Sequence, residues 1–578
     1  MRKTFLVLIL VSGIVFCFAQ EFNSFRYLST SGALDGDVEY AFDPLDLNYL
    51  SGTRFFSGLS NFSGNDKILM NSGDNYLLLG TSTDKTFLKK LKAALLFKYY
   101  DQEDPLEINC YPSPYDVYPT TDWGRVEYTW QNYYDTNGNS LYDRYGYVHQ
   151  KYENVAKDKG TDFFFVLSHQ LGEKSVLGYK LGFLYSQESN TYAQDNILSA
   201  LAGDPTWEYT YNIINLPEID PTVAEETISS NYLGDFDTKD TNSTLRNQLG
   251  YLTKLNAWEF SGTYTLDYLD NCLETKDFAS QIYSYNSDIT NYYHAYRKNN
   301  YKENGMFNQI SGRVRYILLP DDDPLHTGFV SCGLGFGLRT LNVERKELYN
   351  EDKDNNNNDS CYHNIINENL SASGDLTGIN FSANTRLNYP LNNKTFIGTG
   401  LFYNLQNDDL EGDFTYNVTR LDSIFNYDGS WNENINIISK SAGKVKQEET
   451  VRIFRAPVGL EYWFTNNQKW AMRFGTVFTH KVEIYKESYA PTSIEPTIIE
   501  ETYANGETYT NIDNNISLKE SHCTKYSTSK TDFSYGICFK ANNNLKIDLL
   551  TMFDNEDLEL WNTDFLRNLK LSFTVIFK

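Results

Sequence analysis

The sequence has little basic charge and no long apolar stretch beyond its first residues. Of the 578 residues, 50 are Lys or Arg and 76 are Asp or Glu, so the formal net charge is −26. Binding to a phosphate backbone needs clustered basic side chains, and the composition therefore excludes nucleic acid as a partner. Because no later apolar run reaches the roughly 20 residues of a membrane-spanning helix, a helical membrane protein is excluded as well.

Cysteine is also scarce, whereas aromatic residues are abundant. Six of the seven cysteines follow the apolar N-terminal run, and none forms a CxxC spacing. Cys332 and Cys538 fall within alternating patterns, which favours small buried or lipid-facing residues over a disulfide framework. With 45 Tyr and 36 Phe, the chain is too aromatic for a disordered protein.

The first nineteen residues have the layout of a secretory signal peptide. Arg2 and Lys3 precede an apolar run over residues 5–18, and Ala19 provides a small side chain before Gln20. The run is too short and wrongly flanked for a membrane-spanning helix. We therefore predict that residues 1–19 are removed on export.

Alternating apolar and polar residues recur from residue 163 to the end of the chain. In residues 381–389 the odd positions are mainly apolar, and the even positions are Asn, Ser or Arg. Residues 456–464 and 470–478 repeat the pattern on either side of a short polar turn. A period of two predicts β-strands that have one apolar and one polar face.

The number of strands follows from counting these runs. Predicted hairpins cover residues 163–187, 243–270, 306–345, 381–405, 456–478 and 531–553, and single strands cover 91–99 and 571–577. The count is about fourteen, with sixteen as the alternative if residues 53–60 and 76–82 are strands too. Both numbers are even, as closed bacterial barrels require.

The connections between the strands are of two lengths. Short turns lie at one end, and long polar segments lie at the other, over residues 102–160, 188–241, 271–304, 347–374, 407–448 and 487–528. Transmembrane barrels have short periplasmic turns and long extracellular loops. The sequence thus predicts an all-β, transmembrane antiparallel barrel over residues 76–578, preceded by an N-terminal segment, 20–75, that forms a hatch or a first strand. A secreted β-sandwich or propeller is the alternative.

The signal peptide, the paired strands and the aromatic ending at residues 573–577 resemble outer-membrane β-barrel proteins of Gram-negative bacteria. The ending is similar to the signal that the barrel-assembly machinery recognises, although Lys578 follows the last aromatic residue. Residues 40–47 resemble the N-terminal hatch of fatty-acid-transporter-like barrels. The resemblance implies an outer-membrane location after signal cleavage, with membrane lipid and the assembly machinery as partners.

Charged residues on the polar strand faces are the candidate lumen lining. They are Arg246, Arg313, Arg315, Arg339, Arg386, Arg455, Arg473, Glu259, Asp267, Glu461, Glu483 and Asp532. Such a mixed-charge surface orients passing polar solutes in a pore. It is equally compatible with an internal salt-bridge network that plugs the barrel.

Metal, cofactor and enzyme signals are weak. Asp135, Asn137, Asn139 and Asp143 place oxygen ligands on alternate residues, but the twelfth position of an EF-hand loop would be Gly146. An Asn-Gly hairpin turn is the favoured interpretation of that segment. No cofactor motif occurs, and His480 is a lone candidate for an outer-membrane hydrolase, so we predict a protein that is not an enzyme.

Two functions remain compatible with the sequence. The first is a porin-like channel or a transporter for small solutes, in which acidic loops would concentrate cations at the mouth. The second is a non-conducting surface barrel whose loops bind a protein, a polysaccharide or a secretion partner.

Overall fold

The protein is described by a computed structural model of the full chain. The described residues are 23–60, 75–86, 88, 90–110, 120–134, 144–200, 212–213, 228–285, 288–321, 323–357, 360–426, 431–464, 469–513, 522–542, 544–553 and 570–577. The predicted signal peptide and the four candidate calcium ligands lie outside them.

Sixteen antiparallel strands form a ring. In ring order they are β1 (Thr53–Ser60), β2 (Asn75–Thr83), β3 (Leu91–Pro105), β6 (Arg144–Gln170), β7 (Ser175–Ala200), β9 (Ile228–Leu255), β10 (Trp258–Tyr285), β11 (Asp288–Leu319), β12 (Gly328–Asn357), β13 (Ser360–Asn392), β14 (Thr395–Asn426), β15 (Trp431–Trp463), β16 (Trp470–Tyr503), β18 (His522–Asn542), β19 (Leu545–Phe553) and β20 (Lys570–Phe577). In the part of the chain that the structure describes, four further strands lie outside this order: β4 (Glu107–Cys110), β5 (Thr120–Tyr134), β8 (Asn212–Ile213) and β17 (Thr508–Asp513).

The first and last strands close the ring. β1 pairs with β20 in a register that places Thr53 opposite Phe577. The prediction of an antiparallel all-β barrel is confirmed, but about fourteen strands was wrong and the alternative of sixteen is observed. β1 and β2 were the uncertain pair because both of their faces carry apolar residues. Phe56 and Leu78 are buried on the inner face, while Phe55 and Leu79 are exposed on the outer one.

The predicted long loops are largely strands. β12 and β13 stay paired as far as Asn357 and Ser360, and β13 and β14 as far as Ser360 and Asn426. At about 3.3 Å per residue, a strand of 32 residues is about 100 Å long. Strand hydrogen bonds join main-chain atoms, so the pairing continues where the side chains on both faces are polar. The prediction of loops over 271–304, 347–374 and 407–448 was therefore wrong for the residues of these segments that the structure describes, which are strands.

An apolar belt surrounds the part of the ring next to the short turns. On β12 the exposed outer face begins with Val330, Leu334, Phe336 and Leu338, and it continues beyond the belt with polar residues such as Glu344. A tilted strand needs about 9–11 residues to cross the hydrocarbon of a bilayer, which is the length of this belt. None of the helices in the described part of the chain is long and apolar enough to cross a membrane.

Residues 23–50, here called the plug, lie inside the ring at the short-turn end. They form helices α1 (Phe25–Ser29) and α2 (Asp37–Phe42) and a 3₁₀ turn (Asp46–Tyr49). The Ser24 hydroxyl caps α1 by accepting a hydrogen bond from the Tyr27 amide at 3.1 Å. The Glu39 carboxylate accepts hydrogen bonds from the amides of Ser24 (2.6 Å) and Gly36 (2.7 Å), so it ties the two helix starts together.

Apolar contacts fix the plug against both sides of the wall. The first cluster contains plug residues of and around α2 together with inner-face residues of β1, β2, β3 and β6: Val38, Tyr40, Ala41, Leu47, Leu50, Phe56, Leu78, Ala94, Leu96, Phe164 and Val166. A second cluster packs Leu34 against Phe396, Trp463, Ala471 and Cys538. Burial of each large side chain contributes about 1.5–3 kcal/mol, so the plug is held as a folded part of the barrel.

Candidate functional site

A cavity of about 890 Å³ occupies the lumen above the plug. Its floor includes Tyr27, Ser31 and Phe42 of the plug, and its upper wall reaches Tyr485 and Glu487 of β16. The walls come from the inner faces of the strands, where every second side chain points into the lumen. This position between the plug and the outer end of the barrel makes the cavity the candidate site.

A buried chain of charges joins the plug to β15, β16 and β19. The Arg26 guanidinium donates to both oxygens of Glu461, at 3.0 and 3.1 Å. Glu461 also accepts from Arg473 at 2.7 Å, and Arg473 donates to Asp548 at 2.6 Å. All four side chains are almost completely buried, so each charge depends on its neighbours for compensation.

A second junction holds the other half of the plug against β11. Asp46 accepts hydrogen bonds from Arg313 at 2.7 and 2.9 Å and from Arg315 at 2.9 Å. Arg315 also lies 3.5 Å from Glu259 on β10, which accepts from the Tyr49 hydroxyl at 2.5 Å. The Asp46 carboxylate of the plug therefore compensates the charges of two wall residues, Arg313 and Arg315.

Other contacts extend the junction around the ring. Arg386 on β13 donates to both oxygens of Asp35, at 2.7 and 3.0 Å. Lys92 on β3 donates to the carbonyl oxygens of Asn48 and Leu50, each at 2.5 Å. Together with the apolar clusters, these contacts reach wall strands on all sides of the plug.

The predicted lumen residues divide into groups by location. The first group takes part in the ion pairs that hold the plug against the wall, here called the plug junction: Arg313, Arg315, Arg386, Arg473, Glu259 and Glu461. The group lining the cavity contains Arg246, Arg339, Arg455, Asp267 and Asp532. Glu483 is buried beside Lys481 and is outside both groups. The two groups thus lie at different heights of one lumen, with the ion pairs of the plug at the short-turn end and the cavity above them.

The cavity carries an excess of negative charge. Among the residues that the structure describes, eleven acidic and five basic side chains line it. Some of the acidic groups are paired: Arg246 donates to Asp267 at 2.8 Å, and Arg339 donates to Asp408 at 2.8 Å. In the described part of the chain no basic side chain pairs with Glu188, Asp240, Glu303 or Glu449.

The unpaired carboxyl groups lie beyond the apolar belt, and two of them have strongly shifted pKa values. Burial, opposed by a hydrogen bond from Asn242 and reinforced by the charge of Glu303, raises the pKa of Asp240 to about 7. Burial and the charges of Asp408 and Glu303 raise the pKa of Glu449 to about 7. Such carboxyl groups change charge near neutral pH because water no longer stabilises their ionised form.

The sequence interpretation missed these acidic residues and the plug partners. Asp240 and Glu303 fell in segments assigned to loops, and Glu449 fell just after one. The period of two could have identified them. On β15 the inward-facing positions run from Glu449 through Val451, Ile453 and Arg455 into the belt. The period was hidden because both faces become polar beyond the bilayer.

Two specific signals were tested among the described residues: a metal-ligand cluster and a hydrogen-bonded triad at His480. No group of three or more His, Cys, Asp or Glu side chains is arranged to hold a metal ion there. His480 lies on the outer face of β16, where its Nδ1 is 2.8 Å from the Ser529 hydroxyl. Within the described residues no third hydrogen-bonding group accompanies this pair, and a charge-relay arrangement needs one.

Comparisons with known proteins found similarity only to solved structures. No family model and no curated protein matches the chain. A variant of the ferric enterobactin receptor of Pseudomonas aeruginosa aligns at 9% identity over 91% of this chain and 82% of that chain, with a TM-score of 0.27. The ferric-catecholate import receptor Fiu of Escherichia coli K12 aligns at 8% identity over 91% and 82%, with a TM-score of 0.22. The alcaligin outer-membrane receptor of Bordetella pertussis aligns at 10% identity over 93% and 76%, with a TM-score of 0.20.

These TM-scores are too low to support an argument about function. The predicted resemblance to outer-membrane β-barrel proteins rests on the chain's own closed ring and apolar belt, which have the architecture of that class.

Proposed function

We propose that the protein is an outer-membrane transporter that admits small solutes to its lumen and is closed at the short-turn end by the plug. The observation that carries the proposal is the cavity: it is large, many of its lining side chains are charged, and it is bounded below by the plug, which binds the wall through ion pairs. A passing solute would fill the cavity and then require the plug to shift. An open porin would have no such floor.

The outer surface supports the proposed location. The apolar belt would face membrane lipid, and the barrel-assembly machinery would insert the ring after signal cleavage. The strands beyond the belt would then project from the cell, because both the plug and the short turns belong at the periplasmic end in this orientation.

A disulfide that locks the plug tests the proposal. The hydroxyl oxygens of Ser31 in the plug and Ser534 on β18 are 2.8 Å apart, so Ser31→Cys combined with Ser534→Cys places two thiols within bridging distance. In Gram-negative cells producing the double variant, we expect uptake of labelled small solutes (lysine, arabinose and succinate as probes) to fall to the level of cells lacking the protein. A reductant should restore it.

The matched control places the same bridge far from the plug. Thr502 and Thr508 face each other in an outer hairpin, with hydroxyl oxygens 3.3 Å apart. Oxidising Thr502→Cys combined with Thr508→Cys should leave uptake unchanged. Equal uptake by the locked and the reduced plug variant would show that solutes do not pass the plug, and the transport proposal would fail.

The extended hairpins give the second candidate its support. Strands of 28–34 residues rise far beyond the belt and present polar outer faces. A surface barrel whose hairpins bind a protein or a polysaccharide would give no solute uptake in either redox state, although it would still reach the outer membrane.

A further inference from the structure

We infer that the solute taken into the cavity is an organic cation that carries several protonated amines. This inference rests on the proposed transport function and names its substrate class. It is carried by two pairs of directly opposed carboxylates in the cavity wall and by buried polar groups beside them that have no partner.

The opposed pairs follow from the strand register. Glu188 on β7 is the cross-strand partner of Asp240 on β9, and Asp408 on β14 is the partner of Glu449 on β15. All four residues line the cavity. Like charges placed directly opposite each other destabilise a sheet. Only Asp408 has a basic partner, Arg339, among the described residues.

Glu303 connects the two pairs electrostatically. It lies on β11, and its charge raises the pKa of both Asp240 and Glu449. The carboxylates thus form an extended acidic surface across the lumen rather than one compact cluster. An extended polyamine carries its positive charges along a chain and can pair with carboxylates on several strands at once, which a single small ion does not do.

Unpartnered polar groups on β10 supply the second, independent observation. The Thr275 hydroxyl and the Asn271 side-chain oxygen are buried against the cavity and have no hydrogen-bond partner. Thr275 is 5% exposed and Asn271 is 9% exposed. A buried acceptor without a donor costs about 1–3 kcal/mol. A bound ammonium group has N–H donors that would remove this cost.

Aromatic side chains complete the surface. The rings of Tyr301 and Tyr485 line the cavity beside Glu303 and Glu449. A tyrosine ring attracts cations through its negative face. Carboxylates, free acceptors and rings in one cavity form a recognisable binding surface for an amine.

Spermidine, which carries three amines, is the probe for a binding test. We expect the refolded mature chain in detergent to bind spermidine, measured by isothermal titration calorimetry, at least tenfold more tightly than glycerol or citrate, where about 1.4 kcal/mol corresponds to each factor of ten. Glu188→Gln combined with Asp240→Asn, and separately Glu449→Gln, should each weaken spermidine binding by about tenfold. These amides keep the shape of the side chains and relieve like-charge repulsion, so the variants should fold.

Glu344→Gln is the matched control, because Glu344 lies on the exposed outer face of β12 and its change removes the same charge. It should leave the spermidine affinity unchanged. The inference would be overturned if spermidine bound no better than glycerol, if the lumen variants bound it as the parent does, or if Mg²⁺ displaced it at equal concentration.

The pH dependence gives a further readout. The groups facing Asp240 and Glu449 are Asn242, Glu188, Glu303, Asp408, Glu483, Tyr485 and Arg339. Since the folded-state pKa of both carboxyl groups is raised to about 7, each is protonated below that pH and charged above it. Spermidine affinity should therefore rise by about tenfold between about pH 5.5 and about pH 7.5, where its amines stay protonated. A flat profile would contradict the assigned carboxyl groups.

The failures of the two proposals are distinguishable. Spermidine binding without solute uptake in cells would leave the cation site standing and overturn the transport function. Uptake of arabinose and succinate without spermidine binding would leave transport standing and overturn the cation site.

Discussion

Asp46→Ala is expected to release the plug from β11. The substitution removes the carboxylate that accepts from both Arg313 and Arg315, and it leaves the buried Arg315 and the partly buried Arg313 with too little negative charge around them. Removing one partner of a buried ion pair costs about 3–5 kcal/mol. Amide hydrogen exchange in residues 23–50 should accelerate by about 10²–10³-fold, because each 1.4 kcal/mol of lost docking energy opens the plug about tenfold more often.

The control for this prediction is a carboxylate–cation pair of the same protein that is exposed to water. Asp413 pairs with Lys444 at 2.6 Å on the outer part of the barrel, and both side chains are mostly exposed. Such pairs are worth at most about 1 kcal/mol. Asp413→Ala should leave exchange in the plug unchanged. If Asp46→Ala and Asp413→Ala gave the same exchange pattern, the ion pairs would not be what holds the plug.

Gly475→Val is expected to push α1 away from the wall. A Cβ atom at Gly475 would lie 2.3 Å from the Thr30 carbonyl carbon and 2.4 Å from the Ser31 nitrogen. Both are main-chain atoms, so the clash cannot be relieved by rotating a side chain. The cost is about 3 kcal/mol, the upper end for overpacking. Liposomes containing the refolded variant should swell in arabinose faster than those containing the parent chain, in which the plug has to shift before a solute passes.

A second glycine separates the steric effect from a general loss of stability. At Gly262, on the outer face of β10, the nearest atom to an added Cβ is the Ser311 carbonyl oxygen at 3.9 Å. Gly262→Val adds the same side chain to a belt strand without touching the plug, and its liposomes should swell at the rate of the parent chain. Faster swelling with Gly262→Val, or swelling at the parent rate with Gly475→Val, would contradict the steric explanation.

The barrel could be predicted from sequence because apolar and polar residues alternate along the strands of its belt. On β12 and β15 a lipid-facing apolar residue alternates with a lumen-facing polar one, and this pattern was recognised correctly. This alternation ends where the outer face of a strand no longer contacts lipid. Beyond the bilayer, residues such as Asn342 and Glu344 face water on the outside, so the hydrophobic signal disappears while main-chain pairing continues.

The plug junction could not be predicted for a related reason. Arg26 and Glu461 are 435 positions apart in sequence, and Asp46 is 267 positions from Arg313. Nothing local in either segment indicates its partner. The alternation predicts charged inner faces, but only closure of the ring and the position of the plug decide which charges bind the plug and which line the cavity.

Single-channel recording of the intact mature chain in a planar lipid bilayer tests the central claim most directly. We expect no discrete conductance steps from the parent chain, because the plug closes the lumen, and reproducible cation-preferring steps after Asp46→Ala or Gly475→Val. Regular, porin-sized steps from the parent chain would contradict it, since they would mean that residues 23–50 do not close the barrel.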